Sequence, residues 1–226
     1  MIEERINVFS CNINKKIGLD VEILSDEATI ADYCNAMDNF ILNNEFSRLR
    51  SSTNECEGCD ICCKERIPLT IIDVKRLKMR LDDNLSMEDF LRRYTYVIVN
   101  SNIVDITLVI GENGRCMFLN EQLKKCCYYV DRPFVCRTYV CAEISARANK
   151  LRNYILNSGE DELMFLWQDL YEKGICIVHE TLDFSFEPNK YVRNAWTGAE
   201  SYEDIVLKDI LPTSLWQKLR KGDSIV

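Results

Sequence analysis

The stretch C-E-G-C-D-I-C-C at residues 56–63 places Cys56, Cys59, Cys62 and Cys63 within eight positions. A thiolate is a soft ligand for zinc or for the iron of an iron–sulfur cluster, and it must lose its proton to bind. Cysteines three apart on a turning loop bend back onto one metal or one cluster face, and Gly58 relieves backbone crowding inside the first such turn. Three cysteines at C-x-x-C-x-x-C, completed by a distant one, form the arrangement of bacterial ferredoxin clusters. Structural zinc more often uses two separated C-x-x-C knuckles, and no second knuckle exists, because Cys126 and Cys127 are adjacent. The spacing leans toward an iron–sulfur cluster, [4Fe–4S] first, with zinc as the alternative. Adjacent side chains in extended backbone point to opposite faces. Of Cys62 and Cys63, then, either one ligates while the other packs as a small hydrophobe, or the two serve different metals.

Composition sets the context for these thiols. The chain of 226 residues holds twelve cysteines, and its start lacks the basic and apolar regions of a secretory signal, so a cytoplasmic protein is expected. In a reducing compartment, cysteines in such number are metal ligands or catalytic thiols more readily than disulfides. No apolar run reaches the ~18 residues of a membrane-spanning helix, and no membrane role is expected. The 36 acidic against 28 basic residues give a net charge of −8, which argues against a broad nucleic-acid footprint. Neither G-x-G-x-x-G nor G-x-x-x-x-G-K-[ST] occurs, so no standard nucleotide loop is present.

The elements that must position the thiols read as an α+β fold, mainly helical with one small β-hairpin around a cysteine-rich core. Strand-like pieces stand at 6–9 and 21–24. Ile30, Tyr33, Cys34, Met37 and Ile41 recur at helical spacing between about 27 and 50. Thr70 with Asp73 forms a capping box for a helix through Leu81, and Ser86 with Asp89 opens another to about Tyr94. The β-branched run 104–110, the turn G-E-N-G and R-C-M-F-L together predict a hairpin, with Cys116 opening its second strand. Helices are expected over about 142–156 and 160–173, the second ending at Gly174 as its left-handed terminator. A strand at 175–179, a helix from Ser201 and Asp204, and a last one from Pro212–Ser214 complete the chain. The expected division is an N-terminal helical segment over 1–55, a metal-cluster domain over 56–141 and a mostly helical extension over 142–226. Cys11, Cys34 and Cys176 lie in apolar-periodic contexts and read as core residues. His179, the one histidine, reads as a satisfied strand residue.

Four motifs in fixed order carry a family resemblance: C-x-x-C-x-x-C-C; L-T-x-x-D-x-x-R-L from Leu69 to Leu77; C-x-F-L from Cys116; and C-x-x-Y-x-x-R-P-x-x-C-R from Cys126. Over Cys56–Cys141, 86 of 226 residues, the chain resembles the YkgJ-type CxxCxxCC family, described as zinc- or iron-chelating domains. The resemblance implies Cys56, Cys59, Cys62, Cys63, Cys116, Cys126 and Cys136 as metal ligands. Arg132, Pro133 and Arg137 match R-P-x-x-C-R, and Asp73 and Arg76 match the element after the cluster. Val140 stands where the family usually has proline, and Cys127 and Cys141 look like additions. Arg132 and Arg137 are the cofactor-binding candidates, since a guanidinium donates to cluster sulfur or to a bound anion. Pairing with a carboxylate such as Asp131 or Asp73 competes evenly for Arg137 and is favoured for Arg132. Asp73 reads as a cap rather than a catalytic acid. Tyr128, Tyr129 and Tyr139 surround the thiols and would shield them from water.

The sequence thus reads as a metallocluster-dependent enzyme, an iron–sulfur electron carrier or accessory protein, or a structural zinc protein presenting an interaction surface. Flagellin lysine N-methylases carry a related cysteine cluster. That similarity implies S-adenosylmethionine as a cofactor, with modification of a protein or peptide substrate; the carrier reading implies a redox partner instead.

Overall fold

A hairpin starts the chain in the computed structural model, which describes residues 4–49, 59–183, 185–188 and 190–220. Strands β1 (Ile6–Ile13) and β2 (Lys16–Ile23) pair antiparallel from Ile6↔Ile23 to Ile13↔Lys16. Asn14 and Lys15 close the turn at positive φ, 51° and 64°. A two-residue loop of this hand matches strand twist, but it carries Asn-Lys instead of Asn-Gly, so the sequence showed only the two ends of the hairpin.

Helix α1 (Ile30–Asn43) is opened by a Thr29–Asp32 capping box and buries Ile30, Tyr33, Cys34, Met37 and Phe40. It stops well before residue 50 because the following backbone turns back to the hairpin, where Ser47 N donates to Ile17 O at 2.7 Å. Helices α2 (Ile71–Leu81) and α3 (Met87–Tyr94) begin at the expected caps, with Thr70 accepting from Asp73 N and Ser86 from Asp89 N.

The central hairpin differs from the expectation. Strand β4 (Ile103–Leu108) pairs with β3 (Thr95–Asn100), and the turn between them has Ser101 at φ 52°. G-E-N-G does form a tight turn, with Gly111 N donating to Arg115 O at 2.7 Å, but beyond it only the single bridge Ile110↔Cys116 forms. The alternating run T-Y-V-I-V, inward at Thr95, Val97 and Val99, is the better strand partner and wins the β4 edge. A small hairpin of β5 (Leu119–Asn120) and β6 (Lys125–Cys126) follows Cys116.

Helix α4 (Phe134–Thr138) precedes α5 (Ala146–Glu172), a single 27-residue helix where two were expected. Gly159 lies inside α5 because that face presses on α2: a Cβ there would stand 2.6 Å from Thr70 Cβ and 2.8 Å from Trp196 Cη2. Here glycine marks a close approach, not a break. Gly174 does terminate the helix, at φ 83°. The expected strand at 175–179 is irregular; β7 (Glu180–Asp183) follows it and pairs parallel with β3. Ser201 and Asp204 form a capping box on a short 3-10 turn, and helices α6 (Leu207–Ile210) and α7 (Thr213–Arg220) end the described chain.

The fold is α+β, with three small sheets among the described residues. One apolar core runs through hairpin, helices and sheet, anchored by Trp167, Trp196, Tyr33, Tyr202 and Phe134. Among the described residues, no helix is long and apolar enough to cross a membrane. Cys34 is fully buried, as a core cysteine should be, whereas Cys176 is exposed, because the irregular segment after Gly174 turns Ile177 into the core and Cys176 out of it.

Candidate metal centre

Four stretches of chain bring thiols to one cavity of about 380 Å³. The first is the loop at 59–65, turned by a 3-10 helix over Cys62–Lys64 in which Glu65 N donates to Cys62 O at 3.1 Å. Its cysteines Cys59, Cys62 and Cys63 all line the cavity. The loop is held by an Asp60–Arg115 ion pair and by Cys116 N donating to Cys63 O at 2.7 Å, which puts Cys116 beside it. The β5–β6 hairpin supplies Cys126, opposite Leu119 in the register. Helix α4 supplies Cys136, and the segment after it supplies Cys141, whose carbonyl accepts from Leu49 N at 2.8 Å. Cys56 lies outside the described residues. Cys127 is exposed and is not part of the wall.

These thiols share an electrostatic problem. Cys62 is pulled down to about 7, first because it accepts a hydrogen bond from the Cys63 thiol and then through backbone donation and the Arg132 charge. Cys63, the donor in that pair, is pushed up. Burial raises Cys116, Cys126 and Cys136, and the negative charge the neighbouring thiols would carry raises them further. A bound cation reverses both effects, since it replaces lost solvation and converts mutual repulsion into attraction. The donor set is all sulfur. Its chemistry fits a soft metal or an iron–sulfur cluster, with Cys59, Cys62, Cys63, Cys116, Cys126 and Cys136 as the residues that would hold it. Among the described residues no three such side chains close on a single point; they ring the cavity.

His179 stands apart from the cysteines. Its Nδ1 accepts from Val97 N at 3.0 Å and its ring stacks on Tyr96. Tyr129 and Tyr139 line the cavity, while Tyr128 packs edge-on against Phe118.

The arginines are paired, though not with Asp131 or Asp73. Arg132 Nη2 donates to Asp38 Oδ1 at 2.6 Å, and Arg137 donates to Asp38 Oδ2 from Nε at 3.0 Å and from Nη2 at 2.7 Å. Asp131 binds Arg76 and Arg80 instead. Arg132 also holds the ligand segment together, donating to Cys136 O at 3.1 Å and to Tyr129 O at 2.8 Å, with its guanidinium over the Tyr129 ring. It forms part of the cavity wall; Arg137 does not. Asp38 is therefore the residue the sequence did not single out. Only Asn35 and Asp38, three apart beside the buried stripe of α1 and both reaching Arg137, carried a hint of it.

Asp73 caps α2 and reaches further, with Oδ1 accepting from Phe134 N at 2.8 Å and from Tyr202 Oη at 2.7 Å. One buried carboxylate thus fixes the start of α4, the helix that carries Cys136.

Residues 55–158 match the CxxCxxCC family. The family is described as "Putative zinc- or iron-chelating domain", and the match takes in every cavity cysteine and the first half of α5. It covers a little under half of the chain and leaves out α1 with Asp38. Neither the curated proteins nor the solved structures give a match to this chain. Zinc or iron chelation is thus the activity supported for the segment that forms the cavity.

Proposed function

We propose that the protein is an iron–sulfur protein whose cluster is held at the cysteine cavity, and that it works as an enzyme on a ligand bound beside that cluster. The observation that carries this reading is the gathering of seven thiols, from four stretches of chain, on the wall of one cavity. Four thiolates complete a zinc site or a [4Fe–4S] cluster, so the number exceeds either need and leaves thiols for an open position or a second function. The nitrogen ligand common in zinc sites has no source nearby, because His179 is engaged by Val97 in the β3 sheet. A cluster of this kind supplies one-electron transfer or a Lewis-acidic iron. The chain's own contribution is to exclude water with Tyr129 and Tyr139 and to hold positive charge at Arg132.

The enzyme reading is favoured over a carrier because the seven thiols exceed the four that a cluster uses, and the cavity that they ring, about 380 Å³ with the cluster's own space included, lies within the range of small-molecule sites. The S-adenosylmethionine-dependent modification of a protein or peptide rests on the resemblance alone. The test is anaerobic purification with iron, zinc and acid-labile sulfide analysis and a visible spectrum, followed by addition of S-adenosylmethionine. Iron with matching sulfide supports the cluster, and stoichiometric zinc without sulfide refutes it. A spectral change with S-adenosylmethionine would support the modification chemistry; its absence would remove that part of the reading.

A further inference from the structure

Helix α4 is too short to hold itself. It spans five residues, Phe134–Thr138, and Pro133 at its start makes no side-chain cap. Isolated helices shorter than about 12–15 residues are marginal in water, and the first N–H groups of any helix need acceptors from outside it. The acceptor here comes from another helix. Asp73 Oδ1 takes the Phe134 N–H at 2.8 Å, two residues before Cys136 on the cavity wall. The direction of α4, and with it the place from which Cys136 faces the cavity, depends on where this one carboxylate points.

Tyr202 sets that direction. Its hydroxyl donates to the same Oδ1 at 2.7 Å, while Oδ2 accepts from Thr70 N at 3.0 Å. The proton count closes around the three side chains. The single Tyr202 proton goes to Asp73, so the Thr70 hydroxyl, which accepts from Asp73 N, donates its own proton to Tyr202 Oη at 2.7 Å. Burial first, and then the Asp73 charge, raises Tyr202 well above the usual tyrosine range, so the donor keeps its proton. Thr70, Asp73 and Tyr202 are all buried. No bulk water stands ready to replace a lost donor, and a hydrogen bond to a carboxylate is among the stronger ones. Tyr202 belongs to the 3-10 turn that follows the Ser201–Asp204 cap, which Lys75 ties to α2 by donating to Ala199 O at 2.7 Å. That turn lies outside the family match.

We propose that Tyr202 is a positioning residue for the metal centre: through Asp73 it fixes the start of α4, and so the point from which the Cys136 thiol meets the metal. This rests on the reading of Cys136 as a metal ligand and extends the centre beyond the chelating segment. A turn that brings no ligand of its own becomes part of what holds the metal. Tyr33 supplies the control. It too is fully buried, with its ring 6.2 Å from Phe134 against 6.0 Å for Tyr202, but among the described residues its hydroxyl has no partner. Tyr33→Phe and Tyr202→Phe thus remove the same atom beside the same ring, and only the second touches Asp73. Each keeps its ring packing, and with it the fold.

The test is the rate at which the full-length, anaerobically prepared, metal-loaded protein gives up its metal to excess chelator, with the metal–thiolate absorption band and the melting temperature recorded for each variant. Losing an outer partner of a metal ligand typically costs about 10–100-fold in affinity, and for Tyr202, one bond further out, release roughly threefold or more faster is expected, with a shifted band. Tyr33→Phe should release metal at the wild-type rate with its band unshifted. A folded Tyr202→Phe protein with wild-type release and an unshifted band overturns the proposal, as does equal acceleration in Tyr33→Phe. Cys136→Ser separates the two readings. Loss of metal there, beside an unaltered Tyr202→Phe protein, sinks the positioning role alone; full metal and an unshifted band in Cys136→Ser remove Cys136 as a ligand and the proposal with it.

Discussion

Replacing Asp38 by alanine isolates the contact that ties α1 to the ligand-bearing segment. Asp38 accepts three charge-assisted hydrogen bonds, one from Arg132 and two from Arg137, and both arginines are only 8% exposed. Removing one partner of a buried ion pair typically costs about 3–5 kcal/mol, because the remaining charge is left without compensation. Two features reduce that here. The Asp38 side chain is 27% exposed, so water reaches the site, and each arginine keeps another acceptor, Cys136 O and Tyr129 O for Arg132 and Asn35 Oδ1 for Arg137. A loss of about 2–3 kcal/mol is therefore expected, which in a chain of this size lowers the melting temperature by roughly 4–12 °C. Asp38→Asn, which keeps an acceptor but loses the charge, should fall between wild type and Asp38→Ala. Urea unfolding followed by circular dichroism measures the difference, with an unchanged m-value marking a pure stability effect. Since Arg132 also braces Cys136 and Tyr129, metal should leave the Asp38→Ala protein faster under a chelator. A destabilisation under about 0.5 kcal/mol, the level of a surface ion pair, would show that this cluster does not organise the site.

Three further outcomes follow from the structure. Gly159→Ala would gain about 1 kcal/mol from helix propensity alone, but its Cβ would collide with Thr70 and Trp196, and overpacking of about 1–3 kcal/mol should make the variant less stable in thermal melts; a stabilised variant would refute the close approach. Burial, helped by Asp105, Asp161 and Asp73, pushes Glu160 up to about 7. The folded state thus holds this proton more tightly than the unfolded chain, and the stability it gives is present below the ordinary carboxylate range and is lost as pH rises to 7. Glu160→Gln should therefore be more stable than wild type at pH 8, by about 1–2 kcal/mol after discounting for partial exposure, and should show no such gain at pH 4; an equal gain at both pH values would contradict the assignment. Cys136→Ser should lose bound metal while Cys127→Ser, off the cavity wall, keeps it, and metal content by mass spectrometry decides; equal retention would show the cavity wall to be the wrong guide.

The parts of the fold that could be read from sequence were those written in local chemistry. The Thr70–Asp73 and Ser86–Asp89 caps, the stripe on α1 and the Gly174 terminus rest on side chains within a turn of the backbone they serve, so spacing alone reveals them. The errors arose where distant contacts decided. Gly159 looked like a helix break because Thr70 and Trp196, the atoms that require it, lie 89 and 37 positions away. The strand beside β4 is T-Y-V-I-V, which follows α3 without a break and was given no element of its own, while G-E-N-G advertised a turn that closes only one bridge. At the site, spacing pointed only to the loop cysteines, of which Cys59, Cys62 and Cys63 line the cavity; Cys116, Cys126 and Cys136 on the same wall came from the family resemblance, and Cys141, treated as an addition, joins them. Asp38 escaped notice because its partners are 94 and 99 residues away, and nothing in an amphipathic helix distinguishes a solvated aspartate from one that holds two buried arginines.

The central claim is that a metal cluster sits at the cavity ringed by Cys59, Cys62, Cys63, Cys116, Cys126 and Cys136. Anomalous difference maps from crystals of anaerobically purified protein, recorded on both sides of the iron and zinc absorption edges, test it most directly. The account predicts strong iron density inside this cavity, within bonding distance of Cys136 on α4 and of at least one thiol of the 59–63 loop, with open space remaining beside it. A lone zinc peak closed by four sulfurs with no adjoining space, or metal density anywhere else in the molecule, would contradict it.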